Sequence, residues 1–266
     1  MSRPQCHGLI PSVPSRPLEF GTKYLMPIFR LGDEITFPPV HLTSGNGILA
    51  IGGDLSPDRL LTAYRQGIFP WYSEGDPIIW WSPDPRFVLF LEELRVSRSM
   101  MKVLRRRTFS ITYDHKFREV IMSCQKARRK HDGTWITDDM LEAYCTLHNL
   151  GMAHSTEAWH EGKLVGGIYG VSLGRCFFGE SMFSLMSNAS KAALIDLVYR
   201  LKELKFRFLD CQVYTAHLER LGARYISRKE FIELLNAGLQ CETLPGNWQF
   251  MPESAADNEL RKKRRG

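Results

Sequence analysis

The run from Cys176 to Val213 restricts the fold of this 266-residue chain more than any other segment. CFFGESMFS (176–184) is rich in aromatic and sulfur side chains and reads as a strand. ASKAALIDLVYRLKELK follows as a helix, with Asn188 placed to cap it and Leu194, Ile195, Leu197, Val198 and Leu201 on its buried side. FRFLDCQV (206–213) is the next strand. A strand–helix–strand crossover makes its two strands parallel. Inside these strands lie two acids and an amide. Glu180 sits among Phe177, Phe178, Met182 and Phe183, while Asp210 and Gln212 are two apart and so share a face. An isolated buried carboxylate is costly unless it is paired or neutralised, and a lone one ordinarily meets an Arg or backbone amides. Neither strand core offers a cation. The expectation is a polar cleft, lined by Glu180, Asp210 and Gln212, where the strands end or part.

The rest of the chain divides by texture. Residues 1–24 read as a flexible leader. Residues 25–86, rich in Gly, Pro and Trp, read as a small N-terminal α+β domain with one helix, capped by Ser56, opened by Pro57 and ended by Gly67. Trp80 and Trp81 read as packing. Residues 87–252 alternate strands and helices, giving an α/β (α+β) fold. Helices are expected at 97–107 and 136–150, and strands at 152–160 and 163–171 across a Glu161-Gly162 turn. A short helix HLERLG and a strand around ARYIS follow. Residues 253–266 read as a basic flexible tail.

Several functional classes are disfavoured. No apolar run approaches the length needed to span a bilayer, and the proline-rich N-terminus lacks a secretory h-region. The six cysteines contain no CxxC pair, which fits reduced thiols rather than a disulfide scaffold or zinc site. His148, His154 and His160 recur every six residues, a spacing that suits no metal cluster. Residues 261–265 alone carry five of the net +6 charge. The informative charge is internal, in RVSRSMMKVLRRR (95–107), with six basic residues and no acid. On a helix Arg98, Lys102, Arg105 and Arg106 share one face, and KARRKH (126–131) adds a second cluster. Concentrated cations of this kind point to a polyanion partner.

Antiparallel strands, then strand–helix–strand, then a short helix closing on LGA, resemble the acyl-CoA N-acyltransferase (GNAT) fold, whose central parallel strands splay around the acyl donor. Coenzyme A enzymes of that fold cradle pyrophosphate with a Gly-rich loop at the helix N-terminus. Here that loop is SLMSNAS (184–190), without glycine, so the acyl group should come from another carrier. The strings NGILAIGGDLSPDRLLTAYRQGIFPW, DPIIWWSPDPR, SRSM, GTWIT, LVGGIYGV, GESMFS, NASK and LDCQV, in this order across residues 37–250, resemble the leucyl/phenylalanyl-tRNA–protein transferase family.

The resemblance implies a cytoplasmic bacterial enzyme, monomeric, with no cofactor, metal or membrane association. It moves Leu or Phe, Met less well, from aminoacyl-tRNA to a protein's N-terminal Arg or Lys, and so creates a degradation signal. It also implies residue roles. Asp210 would polarise Gln212, which orients the attacking amine, and Glu180 would meet the cationic acceptor. Trp71 and Trp135 would sandwich the terminal adenosine, with Tyr64 and Tyr144 nearby. Ile168, Phe177, Leu197, Leu201 and Leu209 would line the donor side-chain pocket. The family pattern has Met at the first of these and Phe at both helix sites, so the smaller walls here leave the Leu-versus-Phe ranking open. The basic face would grip the acceptor stem through phosphates. Two other functions remain: an acyl-CoA N-acyltransferase, and a non-catalytic RNA-binding adaptor on the same fold.

Overall fold

The computed structural model of the chain describes residues 28–129 and 136–250. The leader, the basic tail, Trp135 and most of the KARRKH cluster lie outside the described residues. Two sheets organise the rest, and the chain passes from one to the other between Trp81 and Arg86.

The first sheet contains β1 (Phe29–Leu31), β2 (Ile48–Gly52), β3 (Phe69–Pro70) and β4 (Ile79–Trp81), in the order β1-β2-β4-β3. Helix α1 (Pro57–Arg65) begins as its sequence dictates: the Ser56 hydroxyl accepts from the Arg59 N–H, and Pro57 opens the first turn. Arg59 is fully buried and donates to the carbonyls of Gly32 and Glu34 and to Asp54. That fixes the loop after β1 against α1. Trp80 is buried with its indole N–H on the Gly52 carbonyl, and the Trp81 indole donates to the Trp71 carbonyl.

The second sheet begins at β5 (Arg86–Phe90). After it come α2 (Arg98–Arg105), β6 (Ser110–Tyr113), α3 (Phe117–Arg129) and α4 (Asp138–Asn149). The hairpin β7 (Ala153–His160) and β8 (Lys163–Leu173) leads into β9 (Cys176–Ser184), α5 (Ala189–Glu203) and β10 (Phe208–Gln212). The short α6 (Ala216–Arg220), edge strand β11 (Arg224–Ile226) and α7 (Arg228–Leu239) follow. The strand order is β11-β5-β10-β9-β8-β7-β6, and among these neighbours only β9 and β10 run parallel. Glu161 and Gly162 both take positive φ, the two-residue turn that matches strand twist. A Cβ on Gly166 would strike Ala189 of α5, whereas one on Gly167 would crowd the Thr156 carbonyl, the Phe183 ring and Val120 of α3. The two faces of β8 are therefore covered by α5 and α3 respectively.

Asn188 departs from the expected cap. It adopts φ +71 and its side chain makes no capping bond. Instead the Ser184 hydroxyl, at the end of β9, accepts from the Ser190 N–H. Asn tolerates the left-handed region better than most residues, so it supplies the bend between strand and helix rather than the cap. No helix among the described residues is long and apolar enough to cross a membrane.

Candidate active site

The parallel strands β9 and β10 pair over only three positions: Cys176 with Phe208, Phe177 with Leu209 and Phe178 with Asp210. Each strand then breaks register with its outer neighbour. Along β9, Gly179 faces Gly170 and Ser181 faces Tyr169, so Glu180 is left over. Along β10, Asp210 faces Val88 and Gln212 faces Phe87, so Cys211 is left over. Bulges of this kind bend a strand and re-aim its side chains. Gln212 itself sits at φ +65. Just past the last parallel pair, the Gln212 amide Nε2 donates to Glu180 Oε1 across 2.8 Å.

Glu180 is fully buried and has three donors. Besides Gln212, the hydroxyl of Tyr64 donates to Oε1 at 2.8 Å and that of Tyr144 to Oε2 at 3.0 Å. The two hydroxyl oxygens lie 2.5 Å apart. No cation among the described residues pairs with this carboxylate. Burial pushes its pKa up to about 7, and the three hydrogen bonds hold it from rising further. Burial, and then the Glu180 charge, push both phenols well above their ordinary range, so they stay neutral donors. Tyr64 comes from α1 and Tyr144 from α4, so the first and second halves of the chain meet on one carboxylate.

Asp210 has the opposite environment. Arg86, on the neighbouring strand β5, grips it with Nε at 2.9 Å and Nη2 at 2.6 Å, and both residues are buried. The guanidinium lies between the rings of Phe69 and Phe231, 4.7 and 4.5 Å from their centroids, and Nη1 donates to the Gly67 carbonyl. The cation absent from the two parallel strands thus arrives from a third. Asp210 Oδ1 accepts the backbone N–H of Gln212 at 2.9 Å, not its side chain. Polarisation of the Gln212 amide by Asp210 is therefore not what these contacts provide. Asp210 holds the Gln212 backbone in its left-handed conformation, which aims the amide at Glu180. Gln212 Oε1 is buried with no hydrogen-bond partner among the described residues.

Comparison with known proteins decides the lineage. Residues 88–236 match the leucyl/phenylalanyl-tRNA protein transferase family, and residues 53–84 match the N-terminal domain of the same family. A leucyl/phenylalanyl-tRNA–protein transferase of Syntrophus aciditrophicus (strain SB) is 59% identical over 231 residues, covering 86% of this chain and 97% of that protein. One from Syntrophobacter fumaroxidans (strain DSM 10017 / MPOB) is 58% identical over 211 residues, covering 79% and 90%. The chain belongs to the leucyl/phenylalanyl-tRNA–protein transferase family. It is a family of aminoacyltransferases.

The remaining residues expected from this family fall into place unevenly. Trp71 is 7% exposed, packs 5.3 Å from Trp81, and has no partner for its indole N–H among the described residues. The next residue, Tyr72, reaches the Thr137 hydroxyl at the start of α4. Tyr64 and Tyr144, expected beside adenosine, both place their hydroxyls on Glu180. Ile168, Phe177, Leu197, Leu201 and Leu209 are all buried in one continuous core. On α2, Arg98, Lys102 and Arg105 are exposed, as is Arg106 at its C-cap, while Met100 faces inward. Arg86 is the residue that sequence reasoning missed. The signal lay in the string DPIIWWSPDPR: an Arg opening an apolar strand needs a buried anion.

Proposed function

We propose that this chain transfers Leu or Phe, and Met less well, from aminoacyl-tRNA to the N-terminal Arg or Lys of proteins, marking them for degradation. The observation that carries this reading is the Gln212 amide. Its NH₂ is committed to Glu180, which leaves Oε1 as a buried, unfilled acceptor beside a carboxylate that has no cation among the described residues.

An α-ammonium group can donate to that oxygen and face the Glu180 charge. One N–H donated to Gln212 Oε1 fixes the amine and orients its lone pair toward the ester carbonyl. The amine must first lose a proton, and its ordinary pKa is about 8. Glu180, near 7, lies close enough to accept that proton at small cost. The nitrogen then attacks the ester carbon, the carbon–oxygen bond to the terminal ribose breaks, and the ribose oxygen takes a proton as the amide forms. The ester is already activated, so the step calls for no cofactor. Asp210 is a positioning residue that acts through the Gln212 backbone.

The other roles follow from chemistry. Trp71 and Trp135 stack the terminal adenosine, worth about 1–3 kcal/mol per base. The apolar set from Ile168 to Leu209 takes the donor side chain. Arg98, Lys102, Arg105 and Arg106 contact acceptor-stem phosphates, which serves any tRNA. The chain acts as a monomer in the cytoplasm.

The test is direct. Leucyl-tRNA and a peptide beginning with Arg should yield a product one Leu heavier, while a peptide beginning with Asp should stay unmodified. No transfer from leucyl-, phenylalanyl- or methionyl-tRNA refutes the activity. Equal transfer to both peptides refutes the acceptor preference.

A further inference from the structure

Beyond α7 the chain folds back across one end of the large sheet. The Gly174 N–H donates to the Thr243 hydroxyl, Arg175 donates to the Glu242 carbonyl, and the Gly246 N–H donates to the Gly151 carbonyl. The approach at Gly151 is so close that a Cβ there would lie 2.1 Å from the Gly246 nitrogen. The Trp248 N–H then donates to Asp114 Oδ2 at 2.7 Å, and its indole N–H donates to the Leu244 carbonyl. These bonds tie the strap to three separate loops and drive Trp248 inward, leaving it 1% exposed.

The ring meets three side chains. It stacks on His154 at 3.9 Å and 13°, and lies 6.0 Å from Phe177 and 5.9 Å from Phe206. His154 is pinned in turn, with Nδ1 bonded to Asp114 Oδ2 at 2.9 Å. Phe177 therefore has support from two directions. One is the bare backbone of Gly170, where a Cβ would come within 2.6 Å of the Phe177 ring, and the other is Trp248. Among Ile168, Phe177, Leu197, Leu201 and Leu209, the set proposed above to take the donor side chain, Phe177 is the one aromatic residue, so a shift of its ring changes that set most. The family match ends at residue 236, twelve residues short of Trp248.

We infer that Trp248 sets the depth of the donor side-chain compartment by backing Phe177, and so governs the choice between Leu and Phe. This rests on the aminoacyl transfer proposed above. Trp248 touches no substrate and acts through Phe177. With a smaller residue at 248, Phe177 gains room to swing away from the compartment. The longer donor then benefits more than the shorter one.

The test compares kcat/KM for phenylalanyl-tRNA and leucyl-tRNA with one Arg-initiated peptide, in wild type, Trp248→Leu and Trp248→Phe. The Phe:Leu ratio should rise about tenfold in Trp248→Leu, the order expected when an apolar pocket changes by a methylene or two. It should rise less in Trp248→Phe, with the change carried by KM. An equal loss with both donors means a structural role only and overturns the inference. Where Trp248→Leu fails to fold, Trp248→Phe keeps a ring on His154, and an unchanged ratio there overturns it equally. A wild-type protein that transfers from no donor instead overturns the proposed function, and the inference with it.

Discussion

Replacing Glu180 by Gln isolates the charge of the central carboxylate at almost constant shape. Burial lifts this carboxyl from an ordinary 4.5 to about 7, so the folded state binds the proton more tightly than the unfolded state. The sign follows. Its contribution to stability is fully present below pH 4.5 and is lost as the pH rises through 7. At about 1.4 kcal/mol per pKa unit, the loss is roughly 3 kcal/mol. Gln accepts the same geometry without titrating. Its oxygen takes the bonds from Tyr64 and Gln212, its NH₂ faces the Tyr144 hydroxyl, and that hydroxyl turns to donate to Tyr64, 2.5 Å away. Urea denaturation of both proteins from below the ordinary carboxylate pKa to about pH 8 measures the effect, because other titrating groups cancel in the difference. Glu180→Gln should gain about 3 kcal/mol on wild type across that range, while transfer to Arg-initiated peptides falls. Two stability curves that run parallel would show that Glu180 does not sit uncompensated in the core, and the reasoning would fail.

Two further outcomes test other parts of the structure. Asp210→Asn leaves the Arg86 guanidinium buried without its anion and should cost about 3–5 kcal/mol of unfolding free energy, measured by urea denaturation; a loss below about 1 kcal/mol contradicts the buried pair. Changing Arg98, Lys102, Arg105 and Arg106 together to Ala should weaken tRNA binding and flatten its salt dependence. The log–log slope, read from a filter-binding titration, should fall by about 0.7–0.9 for each phosphate that is no longer neutralised. An unchanged slope removes α2 from the RNA surface.

The sequence made the strand–helix–strand core readable because local signals agreed there. The β9 run from Cys176 to Ser184 is buried at every position and, apart from Gly179, Glu180 and two serines, apolar or aromatic, as a strand buried on both faces requires. What stayed hidden was non-local. Arg86 opens a strand over a hundred residues before Asp210, and only the antiparallel pairing of β5 with β10 brings them together. The expectation that Asp210 and Gln212 act from one regular strand face missed the bulge, which no local periodicity encodes. Helix α3 was not among the expected helices, although Phe117, Val120, Ile121 and Cys124 keep the i, i+3, i+4, i+7 spacing of one buried face. Nothing in either helix marks the carboxylate in β9 that the Tyr64 and Tyr144 hydroxyls reach.

The shared grip of Tyr64 and Tyr144 on Glu180 has a consequence for how activity arises. The helix bearing Tyr64 leaves the ribosome more than a hundred residues before the acid does, and Tyr144 follows it. A nascent chain therefore presents both phenols with nothing to hold. The raised proton affinity appears only once β9 is in place and Glu180 is buried against both hydroxyls, so a chain still under synthesis lacks it.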